Sequence, residues 1–344
     1  MYILVTGGAG YIGSHTVRAL QREKFKVVVL DNLVYGHKEI VEKILKVPLI
    51  IGDIGNKELV KKIISGQHPK TNGEKIMAVV HFAAYAYVGE SVIDPLKYYK
   101  NNVKESISFF EAIVQESLER SLCNDKTKLI PIVFSSSCAT YGIPSELPII
   151  ETTQQKPINP YGKSKLMVEN ILQDFYISYK IPSMIFRYFN AAGADPEGDL
   201  GENHQPETHL IPLALEAASK QNYRFNLFGD DYNTFDGTCI RDYIHVVDIA
   251  DAHVKGLLKL LNEEGQYIYN LGTGKGLSVL QVLNSIEKIT KLSINIEKRP
   301  RRPGDPPLLI ASSDKAFNEL NWQPRLSNID TIVKHAWEWY QTLL

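Results

Sequence analysis

Cysteine is scarce: Cys123, Cys138 and Cys239 are the only three in 344 residues. An odd number without CxxC spacing excludes a disulfide framework and a cysteine-held zinc site, and points to reduced thiols. An excess of charge of one sign is also missing: 38 Lys and Arg against 39 Asp and Glu leave a formal net charge of −1. Nucleic-acid and membrane-surface binders carry a basic face, so neither partner is expected. No apolar run approaches the ~20 residues that a membrane-spanning helix needs. The opening MYILVTGGAG enters a strand at once, without a basic leader segment or a small-residue cleavage site, which fits a cytoplasmic chain. Internal repeats and low-complexity tracts are lacking, and no metal-ligand set is assigned.

What is present is an alternation of short apolar runs with helical stretches. Ile3–Val5, Lys26–Leu30, Leu49–Ile51, Met77–His81, Leu129–Phe134 and Ser183–Arg187 read as strands. Several are apolar without alternating, as strands covered on both faces are. Between them Tyr11–Glu23, Lys57–Ser65, Lys100–Ser117 and Tyr161–Tyr179 carry helical patterns. The expected fold is α/β: a doubly wound parallel Rossmann sheet with a smaller C-terminal α+β substrate domain. The change of texture after Asn190 puts the first domain at 1–190, with strand and helix segments from about 236–275 returned to it, and the second at 191–344. Gln266–Leu271 reads as one more sheet strand. Gln67–Lys75 and Glu119–Lys128 read as polar surface loops.

Two clusters carry chemistry. Gly7, Gly10 and Gly13 fall between the first strand and the first helix, where glycine lets the backbone approach a pyrophosphate and the helix N-terminus favours its charge. Asp31 ends the second strand, 18 residues after Gly13. A carboxylate there accepts from both ribose hydroxyls and repels a 2′-phosphate, so NAD is expected rather than NADP. Asp53 follows the third strand, and the small residues of His81-Phe82-Ala83-Ala84 follow the fourth at the ligand-binding end of the sheet. The second cluster is Tyr161 and Lys165, YxxxK on one helical face, with the run Ser135-Ser136-Ser137 at a strand end. An ammonium beside a phenol favours phenolate, and Ser137 can relay a proton. Together they describe hydride transfer from an alcohol.

The stretches VTGGAGYIGSHT, VVLDNL, HFAA, VGES, PLKYYKNNV, FSSSCATYG, NPYGKSKLMVE, FRYFNAAGADP, FGDDYNTFDGTCIRDYIHVVDIADAH, YNLGTGKG and PRRPGDPP, in that order and spacing, resemble the UDP-glucose 4-epimerases, extended short-chain dehydrogenases/reductases, along nearly the whole chain. The resemblance implies a retained NAD. It also implies a Tyr161 base assisted by Lys165 and Ser137, a 4-keto sugar that turns over in the site, and return of hydride to its other face. Implied cofactor contacts are Tyr11, Ile12, Asp31, Asn32, Leu33, Gly36, Asp53, Ile54, Phe82, Ala83, Ala84, Asn101, Ser137, Tyr161, Lys165 and Phe189, besides the three glycines. Implied contacts to the substrate, UDP-glucose or UDP-galactose, are Ser137, Tyr161, Asn190, His209, Leu210, Phe228, Arg241, Arg302, Asp305 and Leu309. Arg241 and Arg302 suit a diphosphate, since guanidinium forks match phosphate oxygens.

Two positions depart from the family pattern. Ala86 stands where many members have lysine, and the HFAAYAYVGES and SCATYG variants resemble the pentose-acting branch. Leu309 is intermediate between the bulky and small residues that govern whether an N-acetyl group fits. A 4,6-dehydratase or decarboxylase of the same fold places an acid directly after the strand-end hydroxyl residue, and Cys138 stands there instead. A non-catalytic nucleotide binder is the other rival, and retention of Tyr161 and Lys165 weighs against it. The family expectation is a homodimer through helices Lys100–Ser117 and Tyr161–Tyr179, with Phe109, Phe110, Ile113, Leu172, Phe175 and Tyr176 either supplying its apolar surface or facing only their own sheet, two readings that the sequence does not separate.

Overall fold

The computed structural model describes residues 1–123, 129–220, 222–302 and 305–344. Its strands are β1 Tyr2–Thr6, β2 Lys26–Asp31, β3 Leu49–Ile51, β4 Ile76–His81, β5 Ile132–Ser135, β6 Ser183–Tyr188, β7 Asn190–Ala192, β8 Phe225–Phe228, β9 Ile240–His245, β10 Gln266–Leu271, β11 Gly276–Ser278, β12 Ile296–Arg299 and β13 Leu308–Leu309. Two compact units divide the chain: the first takes Met1–Gly142, Gln155–Arg187 and Ala250–Tyr269, and the second takes Ile143–Gln154, Tyr188–Ile249 and Asn270–Leu344.

The first unit is built on a mostly parallel seven-stranded sheet in the order β10-β6-β5-β4-β1-β2-β3. β1 is YILVT with all five residues buried, because helices cover both faces and leave no polar face to alternate with. β1 pairs in parallel with both β2 and β4. The strand order therefore reverses between β1 and β4, which opens the ligand crevice at their carboxyl ends. The sequence reading runs β5 from Leu129, whereas the strand begins at Ile132, just past Pro131, a residue without an N–H for a ladder. Of the expected loop Glu119–Lys128, Glu119–Leu122 instead complete the helix Ser106–Leu122, and residues 124–128 lie outside the described residues.

Helix Pro160–Tyr179 starts where it does because Asn159 accepts from Gly162 N at 2.8 Å and Pro160 needs no donor in the first turn. It ends at Lys180 in a left-handed conformation, φ +59°. Phe109, Phe110, Ile113 and Leu172 lie in the core of the first unit, with Phe175 packed against it. For these five the expectation of a dimer surface is thereby corrected, since they face their own sheet; Tyr176, the sixth residue of that set, is half-buried outside this core. The outward stripe carries Ile107 and Met167, each 43% exposed.

In the second unit β9 pairs with β11, β13 and β7, and β8 pairs in parallel with β12. Helices Leu210–Ser219, Val279–Thr290 and Ile329–Thr342 pack on a separate apolar core that includes Leu215, Leu283 and Val333. Among the described residues no helix is long and apolar enough to cross a membrane.

Candidate active site

The glycine loop joins β1 to helix Tyr11–Arg22. A Cβ on Gly13 would sit 2.2 Å from the Gly7 carbonyl oxygen, so the helix closes onto the loop only because no side chain intervenes. Gly10 caps the helix without a side-chain hydrogen bond, which leaves first-turn N–H groups for an anion. Asp31, 8% exposed, ends β2 beside this loop. Its carboxylate accepts from Ala9 N at 3.0 Å and from Leu33 N at 2.8 Å. Burial pushes its pKa up, against those two hydrogen bonds. Leu33 is held left-handed, φ +60°, a strained conformation for leucine that the Asp31 contact restrains. Asn32 donates to Asp53 at 3.2 Å. Gly36 lies against Ala9 and Asp31, since a Cβ there would come within 2.8 Å of both. The loop, helix terminus and carboxylate fit a dinucleotide.

At the end of β4, His81 is fully buried and its pKa falls to about 3, by burial first and the Lys165 charge second. It bonds Thr6 at 2.7 Å and Ser106 at 3.2 Å. Phe82 packs on His253, ring centroids 4.7 Å apart, and Ala83 and Ala84 are half-buried beyond it. The Ile54 side chain belongs to the core, so only its backbone can meet a ligand. Tyr11 meets His15 edge-on and Ile12 is half-buried. Asn101 donates to Asn102 at 2.9 Å. Asn102, absent from the sequence reading, is the tie: its side chain bonds both Tyr85 N and Tyr85 O at 2.9 Å and Ser164 at 3.1 Å. It thereby joins the segment after β4 to the YxxxK helix.

Tyr161 and Lys165 lie on that helix, 8% and 4% exposed. Lys165 Nζ donates to the Ser135 carbonyl at 2.8 Å and sits 5.9 Å from the Tyr161 ring centroid and 5.0 Å from that of Phe134. Burial lowers its pKa to about 7, opposed by Glu169. Ser137 caps the short turn Cys138–Thr140, accepting from Ala139 N at 3.2 Å. A Cβ on Gly162 would stand 2.4 Å from the Ala139 carbonyl oxygen, so the glycine of YGKSK lets the Tyr161 helix lie on the Ser137 turn. Behind the pair, Glu169 binds Arg187 through three hydrogen bonds and accepts from Ser136; all three side chains are buried. Neither Gly162 nor Glu169–Arg187 entered the sequence reading; the glycine inside a helix pattern was the available signal. Beside Ala86, which is exposed, the Tyr85 ring carries Lys97 Nζ 4.4 Å from its centroid.

The second unit groups other expected residues. Arg241, 8% exposed, ion-pairs with Asp305 and donates to the Ile240 carbonyl at 2.8 Å. Leu309 is its register partner across β9 and β13. The Arg302 guanidinium stacks 4.1 Å over the Phe228 ring. Pro303 and Gly304, between Arg302 and Asp305, lie outside the described residues. Asn190 opens β7 opposite Tyr243, and Phe189 is buried. His209 precedes helix Leu210–Ser219, with Leu210 packed on the core of this unit.

The sequence matches the NAD dependent epimerase/dehydratase family model over residues 3–272. It is 45% identical over 342 residues to the UDP-glucose 4-epimerase of Lactobacillus helveticus, covering 99% of this chain and 98% of that protein. Among solved structures it resembles UDP-glucose 4-epimerase from Brucella ovis in complex with NAD, 44% identical with a TM-score of 0.88 and 98% and 97% of the two chains covered. It also resembles that from Bifidobacterium longum in complex with NAD+ and UDP, 36% identical with a TM-score of 0.87 and 99% and 98% covered.

Proposed function

This chain belongs to the NAD dependent epimerase/dehydratase family and uses NAD, and from that premise we propose that it inverts C4 of a UDP-hexose, interconverting UDP-galactose and UDP-glucose. The observation that carries the reading is the buried Tyr161–Lys165 pair tied to the end of β5 through the Ser135 carbonyl. NAD, when bound, supplies a reversible hydride acceptor and a positive charge at its nicotinamide. Tyr161 takes the proton of the sugar 4-hydroxyl and returns it when the alcohol re-forms. Bringing a phenol from about 10 to about 7 needs about 4 kcal/mol. Lys165 Nζ lies 5.9 Å from the Tyr161 ring centroid. In the protonated form, which Lys165 holds in full below its pKa of about 7, an ammonium at such a distance contributes about 3 kcal/mol at an effective dielectric constant of about 20. Lysine is therefore the larger share, and a second positive charge completes it. The Ser137 hydroxyl steadies the oxygen that loses and regains its proton.

Inversion needs the sugar to present its other face while the nucleotide stays anchored. Arg241 and Arg302 suit the diphosphate and Asp305 the ribose hydroxyls. Phe228, Asn190, His209, Leu210 and Leu309 complete the substrate contacts. We further propose a homodimer through the outward stripe of helices Ser106–Leu122 and Pro160–Tyr179, where Ile107 and Met167 line an apolar surface depression with Tyr99 and Val103.

The test is incubation of purified protein, without added NAD, with UDP-galactose, following conversion to UDP-glucose by NMR. UDP-N-acetylglucosamine and UDP-xylose run in parallel to read the effects of Leu309 and Ala86. Tyr161→Phe should lose at least ~1,000-fold in rate while keeping its fold. No conversion of any sugar, with NAD added, refutes the reading.

A further inference from the structure

The segment Glu202–His209, ENHQPETH, lies in the second unit ahead of helix Leu210–Ser219. It brings Glu202, His204, Glu207 and His209 together, one donor atom from each, all within 4.8 Å of one another. Both imidazoles turn the same atom, Nδ1, toward one carboxylate oxygen. His209 Nδ1 is 2.5 Å and His204 Nδ1 3.1 Å from Glu202 Oε1. Glu207 closes the group, its oxygens 3.4 Å from His209 Nδ1 and 3.8 Å from His204 Nδ1. Glu202 is only 8% exposed, and its Oε1 has no partner in hydrogen-bond geometry despite those two short approaches. Two imidazole nitrogens thus converge on one buried carboxylate oxygen, with Glu207 beside them.

The electrostatics favour a cation among these donors. Two carboxylates and two imidazoles with donors within 4.8 Å of one another draw positive charge to their centre, and a dication can replace the protons that otherwise fill this need.

We propose that Glu202, His204, Glu207 and His209 form a binding site for one divalent transition-metal ion, of which zinc is the best fit. Two imidazole nitrogens and two carboxylate oxygens are a borderline donor set suited to zinc and its neighbours; calcium takes six to eight oxygens. Tetrahedral coordination at bonds of about 2.0 Å places donors about 3.3 Å apart, so small side-chain rotations close the present group. Four protein donors leave no open position, which makes the ion structural: it fastens the segment leading into helix Leu210–Ser219. His209 then offers its backbone rather than its ring to other ligands. The site shares His209 with the proposed substrate contacts, so its test reads metal rather than turnover and its variants spare His209.

The full chain, stripped with a chelator, would be titrated with zinc chloride by calorimetry, and with cobalt(II) for its visible spectrum. One zinc per chain, an intense tetrahedral cobalt band and a higher melting temperature with zinc are expected. His204→Gln and Glu202→Gln, each checked for fold by circular dichroism, should weaken zinc by about 100-fold or more. Cys123→Ser should leave the stoichiometry unchanged. Absence of stoichiometric zinc binding to the wild-type protein overturns the site. So does a weak octahedral cobalt spectrum, or zinc affinity unchanged in both variants.

Discussion

Lys165→Met should make the protein more stable at pH 6 and less stable at pH 10. Burial lowers the Lys165 pKa from 10.5 to about 7. Below pH 7 the folded protein therefore holds a buried ammonium at its full cost. As pH rises from about 7 to 10.5 the unfolded chain stays protonated while the folded one does not, and the cost fades to zero. The fall from 10.5 to about 7 sets a ceiling of about 5 kcal/mol. Relaxation and water entry leave roughly half of that. Methionine fills the same space without charge and forfeits the bond to the Ser135 carbonyl, about 1 kcal/mol. The variant should gain about 1–2 kcal/mol at pH 6, cross the wild type between pH 7 and 10, and end about 1 kcal/mol below it. Urea melts of nucleotide-free protein, followed by far-ultraviolet circular dichroism from pH 6 to 10, read the difference directly. A difference independent of pH, or a variant weaker at pH 6, refutes the argument. Activity should be lost throughout, so this lysine would be kept at the expense of stability.

Gly162→Ala would place a methyl 2.4 Å from the Ala139 carbonyl oxygen, so thermal melts should show a loss of about 1–3 kcal/mol, with turnover falling further as the Tyr161 helix lifts from the Ser137 turn. Glu169→Gln leaves the buried Arg187 without its counter-charge; urea melts should record about 3–5 kcal/mol of destabilisation, and Arg187→Met in the same chain should recover part of it. Asp31→Ala removes the carboxylate expected to discriminate against a 2′-phosphate; calorimetry should find NAD binding at least ~10-fold weaker and NADP binding nearly unchanged.

Legibility in the sequence follows the range of the interactions. The apolar strands, the glycine loop, Asp31 at the end of β2 and YxxxK at helical spacing are local patterns, set by backbone sterics and by which faces must be dry. The same is true of the Asn159-Pro160 start of helix Pro160–Tyr179, where the cap and the fixed φ lie next to each other in the chain. The direction of Phe109 and Phe110 was less legible, because both stripes of their helix carry apolar residues and only packing decides which one is inward. β5 was misjudged at its start because apolar composition continues through Leu129 and Ile130 while Pro131 breaks the donor series.

By itself, then, the sequence determined the alternation of strands and helices, the glycine loop between β1 and the first helix, and the spacing of Tyr161 and Lys165 on one helical face, since each depends on residues a few positions apart. Only the tertiary structure decided that Asn102 would reach both Tyr85 and Ser164, that Glu169 would meet Arg187, that Arg241 would take Asp305, and that Gly162 would lie on Ala139. It also brought donor atoms of Glu202, His204, Glu207 and His209 within 4.8 Å of one another. These contacts come from chain segments brought together by burial, or from side-chain directions that a loop fixes only once it is packed, and no local pattern of hydrophobicity or spacing encodes them.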